Sequence, residues 1–285
     1  MASTPTADAT VVERANAKIN LALHVRARRA DGYHELETLF AFVAAGDTVR
    51  VARADANRFR LTGPFAGLLA GEGDNLVTRA AAAFAARFGI DAAHAITLDK
   101  HLPVASGIGG GSADAAATLR ALARMHGVAI DDPALFDLAD ALGSDVPACL
   151  LGRTAFGRGR GERLEPIAGA AGMPALLVNP GVAVSTAAVF RGWDGVDRGP
   201  VPDGALIDRA RAGRNDLEPP ACALAPVIGA AIDLLSAQAG AALVRMSGSG
   251  ATCFALFEDA AALAAADAAV AAARPEWWRA ATALV

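Results

Sequence analysis

The chain has 285 residues, 54% of them apolar and 20% charged, and a net charge of −4. This composition supplies a packed core and excludes a disordered chain, and the length accommodates one large domain or two ordinary ones. The slightly acidic balance excludes a broad basic surface and argues against nucleic acid as a main partner, so an anionic small substrate has to be held by local charges and backbone amides.

In chain order, the opening MASTPTADAT lacks the basic and apolar stretches of a secretory signal and reads as a frayed tail. VVERANAKINLALHVRARR alternates in part and predicts one or two strands. DGYHE, Asp31 to Glu35, is a turn signal, and LETLFAFVAAGDTVRVAR predicts strands broken at Gly46-Asp47. DANRFRLTGPF adds a strand and a turn. NLVTRAAAAFAARFG is a helix that Asp74 or Asn75 can cap and Gly89 can end. AITLDKHLP is a strand leading into PVASGIGGGSADAAATLRAL, whose helix runs from Ser112 to about His126 and stops at Gly127. Pro133 to Leu142 is a short helix ending at Gly143, followed by the turn GSDVP and a short apolar run, ACLLG.

The Gly-, Arg- and Glu-rich stretch from Thr154 to Gly172 is the expected domain crossing, dividing the chain into 1–165 and 166–285. PALLVNPG is then a strand, STAAVFRGW a helix start and WDGVDRGPVPDG a mobile loop. CALAPVIGAAIDLLSAQAG reads as one helix with a stop at Gly240. AALVRMSGSGATCFALFED is a strand, a tight loop and a strand. The Ala-rich helix from Ala260 to Ala273 is too short and too weakly apolar to span a membrane. A terminal strand near Thr282 to Val285 closes the chain. Strands alternating with helices in the second half suit a small α+β sandwich. Cys149, Cys222 and Cys253 show neither metal-ligand spacing nor a disulfide framework, and fit a reducing cytoplasm.

The segment from Gly107 to Gly111 holds four glycines and runs straight into a helix. Glycine lets a ligand approach the main chain, and a helix start offers unpaired N–H groups and partial positive charge. Together these predict an anion-binding loop rather than a plain turn capped by Ser112. Taken alone, Lys18 in NAKIN reads as an exposed strand lysine and Asp145 as an ordinary turn aspartate. A phosphate cradle changes both readings, because phosphoryl transfer needs charge stabilisation and a group to orient or deprotonate the attacking hydroxyl. Tyr33, the only tyrosine, reads equally as a core aromatic or a stacking face for a nucleobase. The SGSG loop from Ser247 to Gly250 is a hairpin turn or a point of close approach to phosphate or to the first loop. GRGRGE, Gly157 to Glu162, is a solvated hairpin or part of a substrate rim.

In combination these segments carry a resemblance. PVASGIGGGSADAA resembles the second motif of the GHMP kinases, which include galactokinase, homoserine kinase and mevalonate kinase; RMSGSGATCFALF is similar to their third motif and ANAKINLALHV to their first. RADGYHELETLF, LGSDVPACLLG, GRNDLEPP and GDNLVTRA are similar to the member that phosphorylates a cytidyl diphosphate sugar alcohol in the non-mevalonate isoprenoid pathway; another small-molecule kinase such as homoserine kinase is the alternative. The resemblance implies an α+β, two-domain GHMP kinase fold: an N-terminal domain like the second domain of ribosomal protein S5 and a C-terminal ferredoxin-like α/β sandwich. It implies ATP as co-substrate with Mg²⁺, phosphorylation at the 2-hydroxyl, a cytoplasmic location, and no nucleic-acid or membrane partner. Lys18 and Asp145 become the catalytic pair. Pro103, Val104, Ala105, Ser106, Gly107, Ile108, Gly109, Gly110, Gly111, Ser112 and Ala113 become the ATP loop. Asn20, Tyr33, His34, Phe40, Thr186 and Phe190 become the substrate-binding set. Ile108 and Ala113 replace the leucine and second serine usual in the family loop, and no metal ligands are assigned. A Rossmann dinucleotide site is the competing reading of the glycines, with Asp131 and Asp132 near the required spacing of about 20 residues, but the other two motifs speak against it.

Overall fold

The computed structural model describes residues 10–69 and 75–285. Two long strands, β1 (Val11–Arg28) and β2 (His34–Ala54), pair antiparallel along almost their whole length. The expected break at Gly46-Asp47 is absent. Gly46 lies opposite Asn16, where a Cβ would stand 2.4 Å from the Ala15 carbonyl oxygen. The glycine permits close backbone approach at a shift in register, a role it plays in strands as readily as in turns. β3 (Arg58–Thr62), β4 (Ala93–Asp99), β5 (Ala155–Gly159) and β6 (Arg163–Pro166) complete this sheet. β4 joins the second half of β2 and β5 its first half; β3 lies outside β4, and β6 outside β5. The stretch expected to carry the crossing is thus mostly a hairpin of the first sheet, and the chain leaves that sheet after Pro166.

Four helices cover this sheet: α1 (Leu76–Phe88), α2 (Gly110–His126), α3 (Pro133–Leu142) and α4 (Val146–Leu151). Asn75 caps α1, accepting from the Val77 and Thr78 amides, while Thr78 Oγ1 accepts from the Asn75 amide. Asp74 lies outside the described residues. α2 is buried on nearly every side, which explains its run of alanines; larger side chains would hold it off β1, β2 and α1. It begins at Gly110, two residues before Ser112, because Gly109 takes the cap position in the left-handed region at φ 65°. ACLLG is no loose run but the body of α4.

The second sheet contains β7 (Pro174–Asn179), β8 (Ala241–Met246), β9 (Cys253–Phe257) and β10 (Trp278–Ala283), in the order β10-β7-β9-β8, with every pairing antiparallel. β10 begins earlier than the terminal strand expected near Thr282. Between β7 and β8 come α5 (Thr186–Arg191), α6 (Leu206–Ala212), α7 (Glu218–Leu224) and α8 (Val227–Ser236); α9 (Ala260–Ala273) links β9 to β10. Strand order and crossover helices give the ferredoxin-like arrangement. The single helix expected across CALAPVIGAAIDLLSAQAG is two, because Pro226 lacks an N–H and drives Ala225 to φ −141°, ψ 86°.

The two sheets share a core in which Ile19 and Leu21 of β1 pack with Leu177, Phe254 and Leu256. The loop read as mobile is tied to the first sheet: Asp197 accepts from Arg26 at 2.8 Å, and the Val201 amide donates to Glu37 at 2.8 Å.

Candidate active site

β1, the start of α2 and the start of α4 converge on a cavity of about 1030 Å³. Lys18 on β1 is only 2% exposed, so the exposed-lysine reading is overturned. Its Nζ lies 2.8 Å from Asp145 Oδ2 and donates to Asn20 Oδ1 at 3.0 Å. Asn20 Nδ2 donates to Thr38 Oγ1 at 2.8 Å, and Thr38 donates to the Ala22 carbonyl. Below the ammonium lies the Phe40 ring, its centroid 5.4 Å from Nζ. Asp145 occupies the cap position of α4 but makes no capping bond, which leaves its carboxylate, 37% exposed, between Lys18 and the cavity.

The glycine segment curls against Lys18. Ala105, Gly107 and Gly109 all have positive φ, at 51°, 77° and 65°. A Cβ on Gly109 would lie 3.1 Å from Lys18 Cε, and one on Gly107 would lie 2.5 Å from the Ser247 carbonyl oxygen. The Lys18 amide donates to the Ile108 carbonyl at 3.0 Å. No side chain caps α2, so its first amides remain available to an anion. The SGSG loop is both a strand connection and a brace. Ser247 Oγ accepts from the Asn20 amide and donates to the Gly107 carbonyl, and the Thr252 amide donates to the Ser106 carbonyl. Asn215, in GRNDLEPP, holds the brace by donating to the Met246 and Gly248 carbonyls, both at 2.8 Å.

Beneath the loop, Lys100 Nζ bridges Asp47 and Asp114, 2.6 Å from each. Burial pushes the Asp114 carboxyl up to about 8 against the pull of Lys100, and Asp47 adds to the rise. Its Oδ1 has no hydrogen-bond partner. Burial also pushes the Cys149 thiol, behind Gly109, up to about 12, which makes it an inert packing group.

Aromatic residues line another part of the cavity. Tyr33 is 51% exposed, which rules out the core reading, and the Arg160 guanidinium stands 5.0 Å from its ring centroid. His34 opens β2 and packs on Phe190 at 4.8 Å and on the edge of Trp193 at 5.8 Å. Burial, then the charge of Arg28, lowers the His34 pKa, and its Nε2 has no partner. Thr186 Oγ1 is 2.9 Å from Ser249 Oγ, joining this part of the wall to the brace.

The structure therefore brings Lys18, Asn20, Tyr33, His34, Phe40, Asp145, Thr186, Phe190 and most of the glycine segment to one cavity. Ile108 and Ala113 are exceptions; their side chains turn into the core and anchor the segment. Sequence reasoning missed Thr38, Asn215 and the Asp47–Lys100–Asp114 cluster, whose members come from separate elements with no local pattern. Arg160 makes the GRGRGE hairpin part of the cavity rim as well. Among the described residues, no group of three or more His, Cys, Asp or Glu is placed to hold a metal, and no helix is long and apolar enough to cross a membrane.

Comparison with known proteins gives two matches to family profiles: GHMP kinases N terminal domain over residues 75–153, and GHMP kinases C terminal over residues 203–274. A 4-diphosphocytidyl-2-C-methyl-D-erythritol kinase of Rhizorhabdus wittichii is 60% identical over 271 residues, covering 94% of this chain and 92% of the relative. One of Novosphingobium aromaticivorans is 51% identical over 267 residues, with coverage of 93% and 90%. A crystal structure of 4-(cytidine 5'-diphospho)-2C-methyl-D-erythritol kinase matches with a TM-score of 0.80 at 38% identity, over 96% of this chain and 98% of that one. Homoserine kinase from Cytophaga hutchinsonii, 18% identical, matches with a TM-score of 0.71 over 100% of this chain and 96% of that one, and shares the fold.

Proposed function

This chain belongs to the 4-diphosphocytidyl-2-C-methyl-D-erythritol kinase family of the GHMP kinases, and from that membership we propose how its cavity works. The protein phosphorylates 4-diphosphocytidyl-2-C-methyl-D-erythritol, a step of the non-mevalonate isoprenoid precursor pathway. In our reading ATP is the donor and the 2-hydroxyl the acceptor. The triphosphate lies along Pro103 to Ser112, against the open amides of α2. The cytidyl group meets Tyr33, His34 and Phe190.

The observation that carries this reading is the Lys18–Asp145 ion pair, which packs against Gly109 and lines the same cavity as the aromatic group. Asp145 orients the acceptor hydroxyl and takes its proton as the bond to phosphorus forms. Lys18 fixes that carboxylate and meets charge developing on the reacting oxygens. Asn20 and Phe40 hold Lys18 in place, while Thr186 steadies the brace. Mg²⁺ usually reaches such sites bound to phosphates and one or two carboxylates, and the half-exposed Asp145 beside the glycine segment fits that donor set. When bound, the ion neutralises phosphate charge. A cytoplasmic location suits the three free cysteines, Cys149, Cys222 and Cys253.

An ADP-release assay tests the reading, with the diphosphocytidyl erythritol substrate set against homoserine and mevalonate. Turnover confined to the first is expected. Turnover of homoserine alone would overturn the substrate assignment and leave the kinase fold untouched.

A further inference from the structure

We propose that Arg120 is a positioning residue that sets the geometry of the Lys18–Asp145 pair from the far side of α2. The proposal rests on the catalytic reading of that pair. Arg120 lies outside the cavity that holds the pair, and its guanidinium makes three different attachments. Nε donates to Glu13 Oε2 at 3.0 Å and Nη2 to the Arg14 carbonyl at 2.8 Å; both residues are on β1, the strand of Lys18. Nη1 donates to the Cys149 carbonyl at 2.7 Å, on α4, whose cap is Asp145.

Each bond has a physical reason. The Cys149 carbonyl is among the last four of α4, which a helix leaves without internal donors, and a cation there complements the negative end of the helix dipole. The Cys149 amide in turn donates to the Asp145 carbonyl at 3.1 Å, so this one turn of helix links the Arg120 bond to Asp145. Glu13 is 6% exposed, and its other oxygen lies 2.6 Å from the Arg124 guanidinium. Arg120 is itself part of α2, which begins at the glycine segment. A single planar group therefore connects the strand of Lys18, the helix of Asp145 and the helix behind the phosphate loop. Lysine lacks the fork needed for three simultaneous bonds in different directions.

Misplacing a catalytic group by about 1 Å can cost on the order of a hundredfold in rate. Arg120→Ala is expected to lower kcat roughly ten- to a hundredfold while both KM values stay within about twofold, the pattern of an interaction needed only in the transition state. Arg120 also lines a second cavity of about 440 Å³ with Val12, Glu13, Arg14, Arg124 and Cys149. Ethylguanidinium in the Arg120→Ala enzyme is expected to fill the vacated place and restore kcat with saturation. A purely structural loss would not show that rescue. Should Arg120→Ala fail to fold, Arg120→Lys carries the test, with a smaller fall in kcat and the same unchanged KM values.

Asp145→Asn is assayed alongside. A folded Arg120 variant with wild-type kcat, beside a slow Asp145→Asn enzyme, overturns this proposal alone. A lower kcat that ethylguanidinium does not restore overturns it too. Wild-type turnover in both variants overturns the catalytic pair on which it rests.

Discussion

Gly109 is the most informative position for mutation, because two separate demands meet at one missing Cβ. Its φ of 65° is open to glycine and costs an L-residue about 1–2 kcal/mol. A Cβ there would also stand 3.1 Å from Lys18 Cε and 3.4 Å from Lys18 Cβ. Lysine stems usually yield, but this one is buried and its Nζ is tethered to Asp145 at 2.8 Å and to Asn20 at 3.0 Å. Gly109→Ala should therefore lose about 1–2 kcal/mol of stability, mostly from the backbone, and slow turnover roughly tenfold by shifting Lys18. Gly109→Val adds a branched Cβ and overpacking of about 1–3 kcal/mol, and should abolish measurable ATP binding. Calorimetric titration with a non-hydrolysable nucleotide reads affinity, ADP release reads kcat, and thermal unfolding reads the folded fraction. Combining Gly109→Ala with Lys18→Met should cost less in kcat than the sum of the two, since both act through one ammonium. A folded Gly109→Val protein with wild-type ATP affinity would refute the phosphate-loop assignment. Wild-type kcat in Gly109→Ala would refute the argument from the Lys18 contact.

Asp145→Asn is expected to lower kcat by about 10²-fold or more with nucleotide affinity nearly unchanged, as single-turnover kinetics and titration can check; retention of much of the rate, with Asp145→Ala worse, would mean the group only positions the hydroxyl. Tyr33→Ala should raise the KM of the cytidyl substrate more than that of ATP, by an amount corresponding to about 1–3 kcal/mol, and Tyr33→Phe should be milder; equal effects on both would make the ring structural. Asp114 binds its proton more tightly folded than unfolded, so its contribution to stability is complete below the unfolded value of about 4 and is lost as pH rises through about 8. Thermal unfolding from pH 4 to 9 should show that loss accumulating up to about 8 and levelling beyond it, and Asp114→Asn should flatten it. The His34 pKa is lowered, so its contribution has the opposite sign: full above about 6.5 and lost as pH falls below it, with His34→Gln removing that slope.

The parts of the site that were legible in the sequence are those in which one short segment carries its own physics. The glycine segment could be read because left-handed backbone and open helix amides both follow from local residues. The burial of Lys18 could not, because it depends on Asp145 at the start of α4 and Phe40 of β2 closing over it from other elements. The Asp47–Lys100–Asp114 cluster left no pattern for the same reason. Gly46 was misread because a glycine that admits a neighbouring backbone looks like a glycine that turns a chain. α4 is too short to display helical periodicity. Pro226, in contrast, was a local signal, and the helix it divides shows that an apolar run does not override a missing N–H.

The hydroxyl of Ser247 binds Asn20 and Gly107, which lie 227 and 140 residues away along the chain. This has a consequence for how the protein is made. Synthesis at roughly 5–20 residues per second separates the glycine segment from its brace, 140 residues on, by about 7–28 seconds. Pairings of such long range are also slow to close. Nucleotide affinity is therefore expected to arrive late and abruptly, as a mark of chain completion rather than of the loop's own sequence. A ribosome-arrested chain that ends before Ser247, assayed with a fluorescent ATP analogue, should bind far more weakly than the released protein although it contains every residue of the phosphate loop.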